Sequence, residues 1–180
     1  MAESETPVFL VDGYSDPALL RINGRASYLN AAPVTEFFKQ MLEAGKRDVV
    51  VDFANCTAMD STFLGILAGA AMQFRKHAPD GCITLVRLGK RNLELVRNLG
   101  LHRILDVDCD SNGLRFTEGR LKEIESNSET KHASAEGMLK AHENLVEADK
   151  GNLKKFQDVI SFLRIQVDKD RATKGSESHA

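Results

Sequence analysis

The segment DVVVDF, Asp48–Phe53, constrains the fold more than any other. Three consecutive valines followed by Asp-Phe leave no polar alternation, so the segment predicts a strand covered on both faces, as in the interior of a largely parallel sheet. Parallel neighbours need long crossover connections, usually helices. Helical patterns flank the run on both sides. Upstream, Ala31–Ala44 places Val34, Phe37, Phe38, Met41 and Leu42 on one face. Asn30 is a candidate N-cap, Pro33 falls in the first turn where proline is tolerated, and Gly45 is a candidate stop. Downstream, ANCTAMD reads as a polar loop into an apolar-faced helix that starts near Ser61 and ends before Pro79.

The remaining elements follow the same logic. PVFLV (Pro7–Val11) and ALLRI (Ala18–Ile22), with DGYSDP between them, predict a hairpin. CITLVRL (Cys82–Leu88) predicts a buried strand, RNLELVRNLG a short helix closed by Gly100, and RILDV (Arg103–Val107) a last strand. Two strands followed by α-β-α-β-α-β predict an α/β fold with helices packed on a mixed sheet. Beyond residue 119 the pattern changes to polar and helix-prone. Leu139, Val146, Leu153, Ile160 and Val167 recur every seven residues, with His142, Asp149, Phe156 and Leu163 three further on. Gly137 and Gly151 each weaken a helix by about 1 kcal/mol relative to alanine. Two helices broken near Gly151, packing on the domain or on a second subunit, are therefore expected over one continuous coil. The expected organisation is a flexible N-terminus over 1–6, a domain over 7–118, a linker over 119–131, a helical extension over 132–169 and a disordered tail over 170–180.

Composition narrows the function classes. Lys and Arg number 24 against 26 Asp and Glu, a net charge of −2. This excludes a strongly basic nucleic-acid binder and a polyacidic tail protein. No run approaches the ~18 apolar residues of a membrane span, since Phe63–Met72 is short and is interrupted by Gly65 and Gly69. The opening MAESETP has neither the basic nor the apolar region of a signal peptide. Cys56, Cys82 and Cys109 form no disulfide framework and no ligand-spaced pair, so no metal or cofactor is implied and a reducing, cytoplasmic setting is expected.

The chemistry concentrates where the central strand meets the long helix, at Asp60, Ser61 and Thr62. Amide groups at a helix start point outward without intrahelical partners, and the helix dipole adds partial positive charge. Asp60 or Ser61 there is first a helix cap; a phosphate on the hydroxyl would also be tolerated. Gly65, Ala68, Gly69, Ala70 and Ala71 leave the helix narrow, permitting close packing against the sheet.

The stretch ANCTAMDSTFLGIL, following a strand, resembles the signature of STAS domains, the family of bacterial anti-anti-sigma factors. The match falls on Asp60, Ser61, Thr62, Phe63, Leu64, Gly65, Ile66 and Leu67. RINGRASYLNAAPV resembles the family's strand ending in Gly and turning into the first helix, and RNLELVRNLGLHRILDV its last helix and strand. The resemblance covers roughly residues 7–118 and leaves the C-terminal helices unexplained. It implies a STAS-like α/β fold, a mixed sheet with packed helices, plus a C-terminal helical extension. It implies no catalysis. It implies that an anti-sigma factor with serine kinase activity binds the chain and phosphorylates Ser61, with Thr62 the secondary acceptor, and that a metal-dependent serine phosphatase resets it. The implied partner surface comprises Asp60, Ser61, Thr62, Phe63 and Leu64, with Gly24 and Ser27. Phe63 stands where the family has Gly or Ala. Gly24-Arg25-Ala26-Ser27 has Ala or Ser where many phosphorylated members carry Asp. The alternative is an unmodified scaffold module in a larger complex, with a possible homodimer through the C-terminal helices. A small-molecule sensor or transport subunit is a third use of the fold.

Other constellations point elsewhere. Asp52 at a strand end resembles the acceptor of receiver domains, but Asp12 is followed by Gly13 and lacks the second acid that would hold Mg²⁺. Phosphate-cradling glycine motifs are absent. Arg87, Lys90, Arg91, Arg97 and Arg103, with His102 nearby, read as a solvated face or a docking patch for an acidic partner. The five histidines show no i,i+4 pair and no fixed Ser or Asp companion, and Cys56 reads as a small structural residue.

Overall fold

The computed structural model describes residues 8–108, 118–124 and 132–177. The N-terminal segment 1–6, Cys109 and residues 125–131 of the expected linker lie outside the described residues. Strand β1 (Phe9–Asp12) forms an antiparallel hairpin with β2 (Ala18–Ala26), Val11 opposite Leu20. Then come α1 (Ala32–Glu43), β3 (Val49–Met59), α2 (Ser61–His77), β4 (Ile83–Val86), α3 (Lys90–Asn98) and β5 (Asp106–Asp108). A short strand β6 (Lys122–Glu123) pairs antiparallel with β1. Among the described residues these make one mixed sheet in the order β5-β4-β3-β2-β1-β6, parallel from β2 through β5.

Strand β3 is the sheet's buried spine. Side chains alternate across a strand, and here both faces are covered. Val49, Val51 and Phe53 join the main core with Phe37 and Phe38 of α1, Leu64, Leu67 and Phe74 of α2, and Val96 of α3. Val50 joins a smaller cluster with Leu19 and Val86, capped by Leu121. Asp52 is fully buried. It accepts hydrogen bonds from Arg21 Nε at 2.8 Å, Arg87 Nε at 2.9 Å and Ala54 N at 3.1 Å, with Arg87 Nη2 also against it. A carboxylate without water needs such pairing. It is a structural ion cluster, closed to the acceptor role of a receiver.

Several expectations are corrected. Asn30 is not the cap of α1, which starts at Ala32 with no side-chain cap. Its side chain instead closes the preceding turn, accepting from Ser27 N and donating to the Arg25 carbonyl, both at 2.9 Å. ANCTAMD is not a loop, because β2 runs on to Ala26 and β3 follows it in parallel to Met59. Two register irregularities absorb the mismatch, and Gly24, at φ +78°, occupies a left-handed conformation there that glycine adopts without steric cost. Residues 101–103 form a 3₁₀ turn after Gly100 (φ +70°), so the last parallel strand is shorter than predicted. The expected linker contributes β6, and the last helix continues beyond 169.

The C-terminal segment forms α4 (Ala135–Ala148) and α5 (Leu153–Glu177). The break falls at Asp149–Asn152, where Asp149 Oδ1 accepts from Gly151 N at 2.8 Å. Ile160, Leu163 and Val167 are buried along α5, whereas Leu153 is half exposed.

Two stability measurements follow. Phe63 is fully buried and stacks on Phe9, centroids 5.9 Å apart. Phe63→Ala should cost about 3–5 kcal/mol in urea unfolding, with an unchanged m value. Burial pushes the Asp12 carboxyl up, but bonds from Ser15 and Tyr14 and the charge of Arg120 outweigh it, holding the group below its ordinary 3.8. A carboxyl with a lowered folded pKa contributes stability above the unfolded value and loses it as pH falls through the folded one. Asp12→Asn should therefore flatten part of the acid limb below about pH 4, as read by denaturant midpoint against pH.

Candidate functional site

The site is built at the junction of β2, β3 and α2. Asp60 adopts an extended backbone and caps α2, its Oδ1 accepting from Phe63 N at 2.9 Å. Its Oδ2 accepts from Tyr28 N at 2.8 Å, and its own N donates to the Ala26 carbonyl at 3.2 Å. One residue thus ties the turn after β2 to the first turn of α2. Ser61 follows as the first helical residue and is half-buried. Tyr28 and Leu29 lie in the adjoining turn with 42% and 50% of their surfaces exposed.

Other candidates are placed differently. Thr62 is buried, and Phe63 and Leu64, expected to face a partner, lie in the core. They are buried because α2 directs that side of its first turn onto the sheet. Ser27 is buried, and its hydroxyl accepts from Leu29 N at 3.4 Å. Gly24 sits beside Cys56 in the β2–β3 register. Within the basic cluster, Arg87 is committed to Asp52 and Arg103 pairs with Asp149 at 3.3 Å. Burial raises the thiol pKa of Cys56 and Cys82, which opposes thiolate reactivity. Among the described residues, no His, Cys, Asp or Glu cluster could hold a metal, and no helix is long and apolar enough to cross a membrane.

The residue missed in the sequence is His142. It has a Ser companion after all: Ser61 Oγ stands 2.9 Å from His142 Nε2. His142 Nδ1 lies 2.8 Å from the Met138 carbonyl, an acceptor. Nδ1 therefore carries the hydrogen, and in the neutral ring Nε2 accepts from the Ser61 hydroxyl. The ring is buried and meets Phe156 edge-on at 5.2 Å. A serine–histidine contact alone is not a hydrolase: the third group is a carbonyl, not an acid. The apolar groove of about 520 Å³ between α1, α2 and α4, lined by Phe38, Leu42, Ile66 and Ala141, is lined by neither Ser61 nor His142.

The small residues of α2 explain how α4 comes so near. A Cβ on Gly65 would lie 2.1 Å from the Ala141 carbonyl oxygen, and one on Gly69 would lie 2.2 Å from Asn144 Nδ2. Asn144 Nδ2 donates to the Gly65 carbonyl at 3.2 Å. These two glycines therefore serve helix–helix contact, correcting the expectation that they face the sheet. Ala68 and Ala71 do belong to the core.

An Asp-capped serine opening the helix after a central strand, on a mixed sheet with helices over its main core face, defines a STAS-type α/β domain. The chain belongs to that family, its residues 9–106 matching the family model described as Mlab, STAS domain. Similar solved structures include the anti-sigma factor antagonist SpoIIAA in its unphosphorylated form, at 16% identity and TM-score 0.45, covering 62% of this chain and 91% of that one. A putative anti-sigma factor antagonist from Thermotoga maritima matches at 18% identity and TM-score 0.48, covering 57% and 88%. The Bacillus cell fate determinant SpoIIAA in its phosphorylated form matches at 15% and 0.46, covering 57% and 92%. A comparison with curated proteins finds no match.

Asp60→Ala removes a cap and the bond to Tyr28 N together. It should lower unfolding free energy by about 1–2 kcal/mol, with faster hydrogen exchange at Tyr28 and Phe63 but not at Val51.

Proposed function

We propose that this chain is an anti-anti-sigma-type regulator. It binds an anti-sigma factor through the face around Asp60 and Ser61, and phosphorylation of Ser61 switches that binding off. It acts by binding, without catalysis, in the cytoplasm. The anti-sigma factor is itself the serine kinase, and a metal-dependent serine phosphatase resets the site. What supports the reading is membership of the STAS family together with one local observation. Ser61 opens α2 immediately after the Asp60 cap, beside the exposed Tyr28 and Leu29. Exposed aromatic and apolar side chains next to a polar switch are the makings of a partner interface.

The direction of the switch follows from electrostatics. Phosphorylation adds about −1.5 to −2 charges. The helix start offsets this by roughly 0.3–1 kcal/mol, while Asp60 opposes it, so the fold survives. A partner covering the site must desolvate the dianion, which costs several kcal/mol unless a cation meets it. Losing about 3 kcal/mol weakens binding roughly a hundredfold.

The second reading is a constitutive scaffold in which Ser61 is never modified. The bond between Ser61 and the buried His142 favours it. A homodimer through the C-terminal helices would use the stripe of Val159, Phe162 and Ile165 that α5 exposes.

Affinity capture from native cells with wild type, Ser61→Ala and Ser61→Asp separates the readings. The regulator predicts a kinase-like partner retained by Ser61→Ala and lost from Ser61→Asp, with a phosphate-sized mass increment on the wild type. Identical partners on all three baits, and no increment, would establish the scaffold.

A further inference from the structure

We propose that α4 is a built-in cover for the Ser61 hydroxyl, leaving Tyr28 and Leu29 exposed beside it, and that a phosphoryl group on Ser61 and docked α4 exclude each other. The inference rests on the reading of Ser61 as a modification site and adds what controls access to it. Three observations carry it. First, the Ser61 hydroxyl lies within the α2–α4 seam, its bond to His142 Nε2 spanning 2.9 Å. Second, the seam has no slack, because the Ala141 backbone already occupies the place of a Gly65 side chain. Third, the footprint of α4 is part polar. Of its buried residues Ala141, His142, Asn144 and Leu145, two are polar and both are hydrogen-bonded to or beside α2. Leu145 of the same helix joins the main core, so release of α4 uncovers one apolar side chain there together with the two polar ones. The α4–α5 hairpin has a buried apolar row of its own in Ile160, Leu163 and Val167.

Phosphoryl transfer from a nucleoside triphosphate forms an Oγ–P bond, breaks the bond between the γ-phosphorus and its bridging oxygen, releases the nucleoside diphosphate and passes the hydroxyl proton to a base of the kinase. The new phosphoryl oxygens are acceptors, and an Nε2 that itself accepts offers them no hydrogen. With phosphorus interposed, Oγ and Nε2 cannot stay 2.9 Å apart. If the phosphate instead turns to solvent, Nε2 is left buried without its partner, which also penalises docking. Either arrangement lifts α4. Conversely, docked α4 shields Ser61 from a kinase, so opening precedes modification.

The test is hydrogen exchange on the full chain, comparing wild type with Ser61→Glu and with His142→Ala, which changes the cover alone. Exchange of α4 amides around Ala141–Leu145 should rise at least tenfold in both variants, with β3 amides at Val49–Val51 unchanged. Wild-type-like protection of α4 in either variant would overturn the proposal. Loss of β3 protection in Ser61→Glu would do so equally, since that is global unfolding and not release. Intact mass of the protein from native cells reports separately whether Ser61 is ever phosphorylated. Its absence would sink the switch while the exchange data still judged the seam.

Discussion

The Asp60 carboxylate holds the site together. Its two oxygens accept from Phe63 N and Tyr28 N, amides on different elements. The amide at the helix start has no intrahelical partner, and the side chain that satisfies it also takes the exposed amide of Tyr28. That fixes the angle at which α2 leaves the sheet and seats the turn bearing Tyr28 and Leu29 against it. Ser61 inherits its position from this arrangement. It is presented by the helix start and needs no support of its own, so it is free to bond outward to His142.

Much of the fold was legible because periodicity reports burial. Val49–Phe53 read correctly as a strand covered on both faces, and the apolar faces of α1 and α2 announced themselves. What failed did so for identifiable reasons. Asn30 caps helices and closes turns with the same side-chain chemistry, and only the partner amide of Ser27 decides between them. Ala54–Ala58 looked like a loop because most of its side chains are exposed, although its backbone remains paired to β2. Gly65 and Gly69 signal close approach without naming what approaches. The serine was visible from its Asp neighbour and its place after a strand, but its histidine partner had no local signal at all.

The two faces of the sheet obey different physics. The main core is apolar and close-packed, so changes in volume are felt there directly. The opposite face buries a carboxylate between two guanidinium groups, where removing one partner leaves an uncompensated charge. At the α4 seam, hydrogen bonds and close backbone approach stand beside apolar burial, with Leu145 reaching the main core.

The contact between Ser61 and His142 joins residues 81 apart in the chain. Contacts so distant form late, after local structure has condensed. During synthesis the strands and helices of the domain leave the ribosome before α4 does, at about 5–20 residues per second. From the end of β5 at Asp108 to the end of α4 at Ala148, a nascent chain spends about 2–8 s with its serine turn made and its cover still incomplete. Newly made and mature copies of one sequence would present different surfaces to the same cell.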